Sequence, residues 1–213
     1  MTDIQNYHAT IAAGIIKNLK LRGMEGSYFP TSKECTKHIL TLLPDGCSIT
    51  WGGSESLKEC GLLAELQSRS SQYRLIDRAQ CKTPAEHRKQ YAEIVCADYF
   101  LMSTNAITLD GELVNIDGNG NRVACLINGP EHVFLIVGYN KIVTDEAAAI
   151  DRVRNFAAPP NVLRLNRQTP CHDTGRCSDC LSADCICNHT VITRRSGRPG
   201  RVHIFLVGEE LGY

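Results

Sequence analysis

The chain has 213 residues, of which 43% are hydrophobic and 22% charged, the composition of a globular protein with a buried core. Lys plus Arg and Asp plus Glu balance at 23 each, so no overall charge favours nucleic acid or an anionic membrane surface. No apolar run reaches the roughly 18 residues that a membrane-spanning helix needs. We therefore predict a soluble protein with neither a nucleic-acid nor a membrane partner.

The N-terminal segment and the cysteines together predict a cytoplasmic protein. Ile4, Ile11, Ile15 and Leu19 recur with a helical period, and polar residues between them interrupt any signal-peptide core. The chain has 11 cysteines, an odd number, and six of them are scattered through apolar or helical patterns like small buried residues. This usage is typical of proteins in a reducing compartment.

Hydrophobic periodicity and turn residues predict an α/β fold. The predicted helices are 3–22, 31–43, 55–66, 84–96 and a helix that Thr144 caps and that ends near Phe156, before Pro159 and Pro160. The predicted strands are 47–51, 73–77, 99–104, 106–109, 113–116, 123–127, 132–138 and 202–207. Strands that alternate with helices imply a mostly parallel sheet covered on both faces. The turn at 110–112 predicts an antiparallel hairpin beside that sheet.

One segment, 166–200, is poor in large apolar residues and cannot bury a core of its own. It places five cysteines between Cys171 and Cys187, with Cys177 and Cys180 in a C-x-x-C motif and His172 and His189 nearby. Such thiols can hold zinc or an iron–sulfur cluster, and their spacing does not choose between the two. The alternative is a reduced or disulfide-stapled loop. We favour a metal site, since clustered cytosolic cysteines more often bind metal or catalyse.

Two further motifs predict a ligand site. Gly52, Gly53 and Ser54 lie between a strand and a helix, where glycines let a ligand approach the backbone and amides attract anions. The alternative is an ordinary strand-to-helix turn with a serine cap.

The second motif combines Thr104 and Asn105 with the hairpin and the stretch 117–122. Glu112 or Asp117 can act as a general acid or base, and Arg122 can grip a carboxylate or phosphate. The alternative is plain turn chemistry, because Asp-Gly and Asn-Gly are common turn dipeptides.

Six collinear pieces of this sequence resemble the LUD (lactate utilization) domain family, the group that includes lactate utilization protein C. The pieces are 52–54, 58–61, 103–108, 113–123, 128–130 and 137–143. The block 103–143 is the most specific part, and the resemblance extends from the first helix to the last residues.

The resemblance implies one LUD-like α/β domain over 1–213, with the cysteine-rich segment 166–200 inserted in its C-terminal part. It implies a three-layer α/β/α sandwich like those of ribose-5-phosphate isomerase, glucosamine-6-phosphate deaminase and CoA transferases. Ligands in such folds lie over the strand ends near a glycine-rich loop. By resemblance the cleft residues are Gly52, Gly53, Ser54, Thr104, Asn105, Asp117, Asn119, Asn121, Arg122 and Lys141. The resemblance also favours Cys171, Cys177, Cys180 and Cys187 as the metal ligands, which leaves Cys185 as the spare thiol.

Three functions remain open at this point. The first is a redox-linked protein that binds lactate or another small anionic hydroxy acid, holds a zinc ion or an iron–sulfur cluster, and works with redox partner subunits. The second is a metal-independent enzyme on a sugar phosphate or acyl-CoA, with Glu59, Glu112 or Asp117 as acid or base. The third is a non-catalytic subunit that binds a partner protein. The sequence does not decide whether the chain is an enzyme, nor whether it forms a homo-oligomer.

Overall fold

A computed structural model describes residues 2–213. The helices are α1 (Asp3–Leu21), α2 (Ser32–Leu42), α3 (Glu55–Glu59), α4 (Leu62–Ser68), α5 (Pro84–Val95), α6 (Asn121–Ile127), α7 (Glu146–Arg152), α8 (Ala158–Arg164) and α9 (Pro170–Thr174). The strands are β1 (Glu25–Phe29), β2 (Ser48–Trp51), β3 (Arg74–Ile76), β4 (Tyr99–Met102), β5 (Ala106–Thr108), β6 (Leu113–Asp117), β7 (His132–Gly138), β8 (Ile142–Val143), β9 (His189–Thr193) and β10 (Val202–Val207). None of these helices is both long enough and apolar enough to cross a membrane.

The main sheet has six parallel strands in the order β1-β10-β7-β4-β2-β3. The central strand β7 is buried from Val133 to Gly138, as expected for a parallel strand with both faces covered. Its side chains alternate between two hydrophobic clusters: Val133 and Leu135 pack with α1, α5 and α6, whereas Phe134 and Ile136 pack with α2, α3 and α4. The predicted three-layer α/β/α architecture is therefore confirmed.

A second sheet of four strands lies in the order β8-β5-β6-β9. Strands β5 and β6 form the antiparallel hairpin that the turn residues predicted. Strand β9, from within 166–200, pairs antiparallel with β6 from Leu113↔Thr193 to Asp117↔His189. The cysteine-rich segment is thus joined to the body of the protein through backbone hydrogen bonds.

The predicted strand 123–127 is wrong, because these residues form helix α6. Gly120 adopts φ 76° immediately before the helix, a left-handed conformation that glycine adopts without steric cost. The buried residues Val123, Cys125 and Leu126 then face the core on one side of the helix. A short apolar run does not distinguish a buried strand from a short buried helix, which is why the pattern misled.

The helices differ from prediction in three places. Asp145, rather than Thr144, caps α7 by accepting a hydrogen bond from the Ala148 amide. A π-helical stretch, Val153–Ala157, continues α7 directly into α8, so Pro159 and Pro160 lie in the first turn of α8 instead of ending a helix. Proline has no amide N–H to donate to the turn before it, and prolines and π-bulges are both found where a continuous helix is distorted. Gly61, at φ 78°, divides the predicted helix 55–66 into α3 and α4. Strands β1, β8 and β9 and helices α8 and α9 were not predicted.

Gly138, at the end of β7, offers a test of the packing. A Cβ atom there would lie 2.5 Å from the Leu211 amide nitrogen and 2.9 Å from the Glu209 carbonyl oxygen, both of them backbone atoms. We expect Gly138→Ala to lower the free energy of unfolding by about 1–3 kcal/mol, the usual cost of overpacking. Urea unfolding followed by circular dichroism measures it.

Gly14→Ala is the matched control, since Gly14 lies inside α1 with no atom within 4 Å of the added Cβ. We expect it to stabilise the protein by about 0.5–1 kcal/mol through helix propensity. Equal effects of the two substitutions would contradict the packing at Gly138.

Candidate functional site

A cavity of about 490 Å³ opens at the carboxyl-terminal edge of the main sheet. Its lining includes Gly53 after β2, Arg78 after β3, Thr104 after β4 and Lys141 after β7. Residues 183–188 of the cysteine-rich segment form another part of its wall. This edge is where ligands bind in open α/β sheets, because the loops after parallel strands converge there.

Lys141 is a buried cation at this cavity, with 4% of its surface exposed. Its Nζ donates hydrogen bonds to Ser56 Oγ at 2.8 Å and to Ser103 Oγ at 3.1 Å. Burial, reinforced by the positive charges of Arg152 and Arg122, lowers the pKa of Lys141 to about 7, and Glu59 opposes the shift. Neutral and charged forms of this amine therefore coexist near neutral pH.

Arg122 is held by the protein through all five of its N–H groups. Its Nε donates to Asp117 Oδ2 at 2.9 Å, and its two terminal nitrogens donate to Asn115 Oδ1, Asn105 Oδ1 and the carbonyl oxygens of Ser103 and Ile116, at 2.8–3.2 Å. Burial lowers the pKa of this guanidinium, and Asp117 opposes that shift. No N–H of Arg122 is left for a ligand. The expectation that it grips a carboxylate or phosphate is therefore corrected: Arg122 positions the residues around the cavity.

The other charges at the cavity form a simple pattern. Three arginines in the lining pair with carboxylates that also line it: Arg122 with Asp117 at 2.9 Å, Arg164 with Glu55 at 3.4 Å and Arg167 with Asp184 at 3.6 Å. Arg78 and Lys141 line the same cavity, and neither forms an ion pair with any carboxylate of residues 2–213. Arg78 donates a hydrogen bond to the side-chain oxygen of Asn121 when the terminal amide of Asn121 is turned over, so that its oxygen and nitrogen exchange places. The cavity thus has two cations without counter-charges.

Most of the predicted site residues line this cavity. They are Gly53, Ser54, Thr104, Asn105, Asp117, Asn119, Asn121, Arg122 and Lys141.

Several of these residues serve the protein rather than a ligand. Ser54 caps α3 by accepting from the Leu57 amide at 3.4 Å. The hydroxyl of Thr104 donates to the Ala106 carbonyl at 3.0 Å. Asp117 accepts from Arg122 through one oxygen and from the Gly120 amide, at 2.7 Å, through the other. An engaged carboxylate of this kind is poorly placed to act as a general base.

Three predicted residues do not line the cavity. Gly52 lies behind it, where a Cβ would come within 3.3 Å of the Arg122 side chain, so glycine leaves room for that arginine. Glu59 is exposed and accepts from the Gly212 amide. Glu112 belongs to the β5–β6 turn and pairs with Arg22 at 3.1 Å. Glu112 is therefore separate from the ligand residues, whereas Glu59 lies outside the cavity lining but near enough to Lys141 for its charge to oppose the lowering of that lysine's pKa.

Sequence reasoning did not single out Arg78, Ser56 or Ser103 as site residues. Ser56 and Ser103 occur inside the motifs that were recognised, and only the fold reveals that both face the same lysine. Arg78 belongs to a short 3-10 turn after β3, one of many arginines in polar loops. Its position after a parallel strand was the one available signal.

The five cysteines of the cysteine-rich segment line one smaller cavity, of about 100 Å³. Cys177 Sγ accepts from the Asp179 amide and Cys185 Sγ from the Cys187 amide, each at 3.4 Å. Hydrogen bonds from Ser182 lower the pKa of Cys180, whereas burial and the neighbouring thiols raise the pKa of Cys187 to about 12. Cys185, Ile186 and Cys187 line both cavities.

These thiols match zinc or an iron–sulfur cluster in donor type and number, and amide N–H groups directed at sulfur suit thiolate ligands. Within residues 2–213, however, no three or more His, Cys, Asp or Glu side chains are arranged to hold a metal ion. The cysteines are all free. Metal binding would require these half-buried side chains to rotate toward one point. Cys185 lines the small cavity along with the four predicted ligands, so its role as the spare thiol stays a prediction.

The Arg122 network can be tested by Arg122→Lys. Lysine keeps the charge but cannot reproduce five N–H groups in a planar fork, so buried acceptors and Asp117 lose their partner. We expect a loss of about 3–5 kcal/mol in the free energy of unfolding. Urea unfolding measures the loss.

Arg69→Lys is the matched control, because Arg69 pairs with Glu65 at 3.4 Å where both side chains are more than 40% exposed. We expect that control to change stability by less than about 1 kcal/mol. A similarly small effect at Arg122 would show that its network does not hold the site.

Comparison with known proteins connects this architecture to one family. The family model described as the LUD domain matches residues 12–207. A solved structure of a DUF162 family protein from Deinococcus radiodurans is similar with a TM-score of 0.55 and 14% identity, over 94% of this chain and 98% of that chain.

Two further solved structures are similar over about half of the chain. The first is eIF2B delta from Chaetomium thermophilum, with a TM-score of 0.39 and 13% identity over 56% of this chain and 50% of that chain. The second is ribose 5-phosphate isomerase from Plasmodium falciparum, with a TM-score of 0.34 and 14% identity over 53% of this chain and 52% of that chain. No curated protein matches the sequence. Because the family match covers nearly the whole chain, and the Deinococcus structure shares its fold, the chain belongs to the LUD domain family.

Proposed function

We propose that this LUD domain protein binds a small anionic metabolite, such as lactate or another hydroxy acid, over the carboxyl ends of its parallel strands. The observation that carries the proposal is the pair of cations, Arg78 and Lys141, that line one cavity without a carboxylate partner among residues 2–213.

Electrostatics supports an anionic ligand. A buried cation without a counter-charge is costly, and a bound carboxylate or phosphate supplies the missing negative charge. The other three lining arginines each pair with a carboxylate, although Arg164 shares Glu55 with Lys58. Arg78 and Lys141 are therefore the lining cations without such a pair among residues 2–213. Asn119 and Asn121 add polar groups that can hydrogen-bond a hydroxyl group of the ligand.

The neighbouring thiols belong to the same proposal. Cys171, Cys177, Cys180 and Cys187 would hold a zinc ion or an iron–sulfur cluster, with Cys185 as the spare thiol. A zinc ion would stabilise the fold of the segment, whereas an iron–sulfur cluster would exchange single electrons with redox partner subunits. Support comes from the five thiols around one small cavity and from its shared wall with the larger cavity. Free thiols suit a reducing cytoplasm, where we place the protein.

The alternative of a metal-independent enzyme on a sugar phosphate or acyl-CoA has weaker support in its original form. It relied on Glu59, Glu112 or Asp117 as acid or base. Each of these carboxylates instead forms a hydrogen bond or an ion pair with another group of the protein. A non-catalytic partner-binding subunit is the remaining alternative, and it requires no ligand in the cavity.

Arg78→Gln tests the anion site. A charged hydrogen bond contributes about 1.5–3 kcal/mol, so we expect the substitution to weaken binding of the anion about 10- to 100-fold. Isothermal titration calorimetry with lactate, larger hydroxy acids, sugar phosphates and acyl-CoA measures the affinities. Because the ammonium form of Lys141 attracts the anion, affinity should also fall as pH rises through about 7.

The matched control is Arg88→Gln, which removes an exposed charge on α5 outside the cavity lining. It should leave the affinity within about twofold, since exposed charges interact weakly through water. Binding that is equally sensitive to both substitutions, or no binding of any anion in the panel, would refute the proposal.

The metal site is tested by the double substitution Cys177→Ser and Cys180→Ser. Protein purified without oxygen should contain about one zinc ion per chain or, if brown, iron with inorganic sulfide, and the double variant should lose it. Elemental analysis and the visible absorption spectrum read the result. Cys96→Ser, which removes an exposed thiol outside the segment, should keep the metal. Wild-type protein without zinc or iron would end the metal proposal.

A further inference from the structure

Lys141 is placed unlike any other lysine in the chain. Within the described residues it alone is buried, and the other lysines are all exposed. Its amine lies at the cavity wall, and its hydrogen-bond partners are the two neutral hydroxyls of Ser56 and Ser103. Structural buried lysines are normally paired with a carboxylate, and no carboxylate of residues 2–213 lies within ion-pair distance of this one. Attraction of an anionic ligand does not by itself explain why the buried amine of Lys141 is held by two neutral hydroxyls.

We propose that Lys141 is a nucleophile that forms an imine with an aldehyde or ketone carrying a carboxylate or a phosphate, whose anionic group Arg78 holds. This inference rests on the proposed anion site and adds a substrate class and a covalent step to it. A 2-oxo acid carries both groups, as does the open-chain form of a sugar phosphate. The cavity of about 490 Å³ accommodates either.

The step requires no oxidant, reductant or metal. The lone pair of the neutral Lys141 Nζ attacks the carbonyl carbon, a C–N bond forms, and the carbonyl electron pair moves to its oxygen, which takes up a proton. The nitrogen gives up one of its two protons to form the neutral carbinolamine. The hydroxyl group then takes up a second proton and leaves as water while the nitrogen gives up its remaining proton, which leaves a C=N bond, so two protons move from nitrogen to oxygen in all. The hydroxyls of Ser56 and Ser103 touch Nζ and can pass these protons.

The surroundings of Lys141 favour the neutral amine that this step needs. Arg152 on α7 and Arg122 on α6 place positive charge near Nζ, and Glu59 on α3 places negative charge. Burial and the two arginines outweigh Glu59, so the pKa falls to about 7. An exposed lysine, with a pKa near 10.4, is almost entirely protonated at neutral pH and reacts slowly. Lys141 should therefore react before the exposed lysines do.

Borohydride trapping tests the inference. The full chain is incubated near neutral pH with pyruvate or glyoxylate in one arm and with ribose 5-phosphate or glyceraldehyde 3-phosphate in the other, then reduced with sodium borohydride. Intact-mass and peptide mass spectrometry should find one adduct, mapped to Lys141, in at least one arm. Its yield at limiting ligand should fall at least about tenfold in Arg78→Gln. The arm that gives the higher yield identifies the anionic group.

Lys141→Met should abolish the adduct, and Lys58→Met, which removes an exposed lysine on α3, should leave it unchanged. Mapping on the wild-type chain decides the question even if Lys141→Met fails to fold. An adduct spread over exposed lysines, or none at Lys141, overturns the inference. If calorimetry then still finds binding that depends on Arg78, the anion site stands and only the covalent step fails; if that binding is absent as well, both fail.

Discussion

The architecture of the site depends on one buried guanidinium. Arg122 reaches from α6 to the residues that follow β4 in the main sheet and to β6 in the second sheet, and it uses every N–H group it has. A planar fork with five donors can join two sheets at fixed distances, and no other side chain offers that geometry. Gly52 leaves room for this side chain, and Asp117 balances its charge.

This constraint determines which groups remain for a ligand. Because Arg122 and Asp117 satisfy each other, they build the wall of the cavity and contribute little net charge to it. Arg164 and Arg167 also pair with carboxylates, Arg164 with Glu55, which Lys58 shares, and Arg167 with Asp184. What remains is Arg78 at one strand end and Lys141 at another. The cysteine-rich segment closes part of the same cavity, so the state of its thiols and the shape of the ligand site are physically connected.

Much of the fold could be predicted from the sequence, because strands such as β7 and β10 are mostly apolar runs between clear turn signals. Most of the site residues predicted from the motifs also line the cavity. Residue roles were harder to predict, since they depend on partners that are distant in sequence. Arg122 looked like an anion-binding residue until its five acceptors were known, and Glu112 looked catalytic until Arg22 was found beside it. Helix α6 was mistaken for a strand because seven residues are too few to show a period. Strand β9 was not predicted because its residues are mostly exposed and it is held in place by pairing with β6, which is distant in sequence.

The central claim is that an anion binds between Arg78 and Lys141. A crystal structure of the protein grown with a saturating hydroxy acid or sugar phosphate tests it most directly. The account predicts electron density for the ligand over the carboxyl ends of the main sheet, with its anionic group in contact with Arg78 and with Lys141 Nζ within reach of the ligand. Density for the ligand bound to Arg122 instead, or on a surface away from this cavity, would contradict the account.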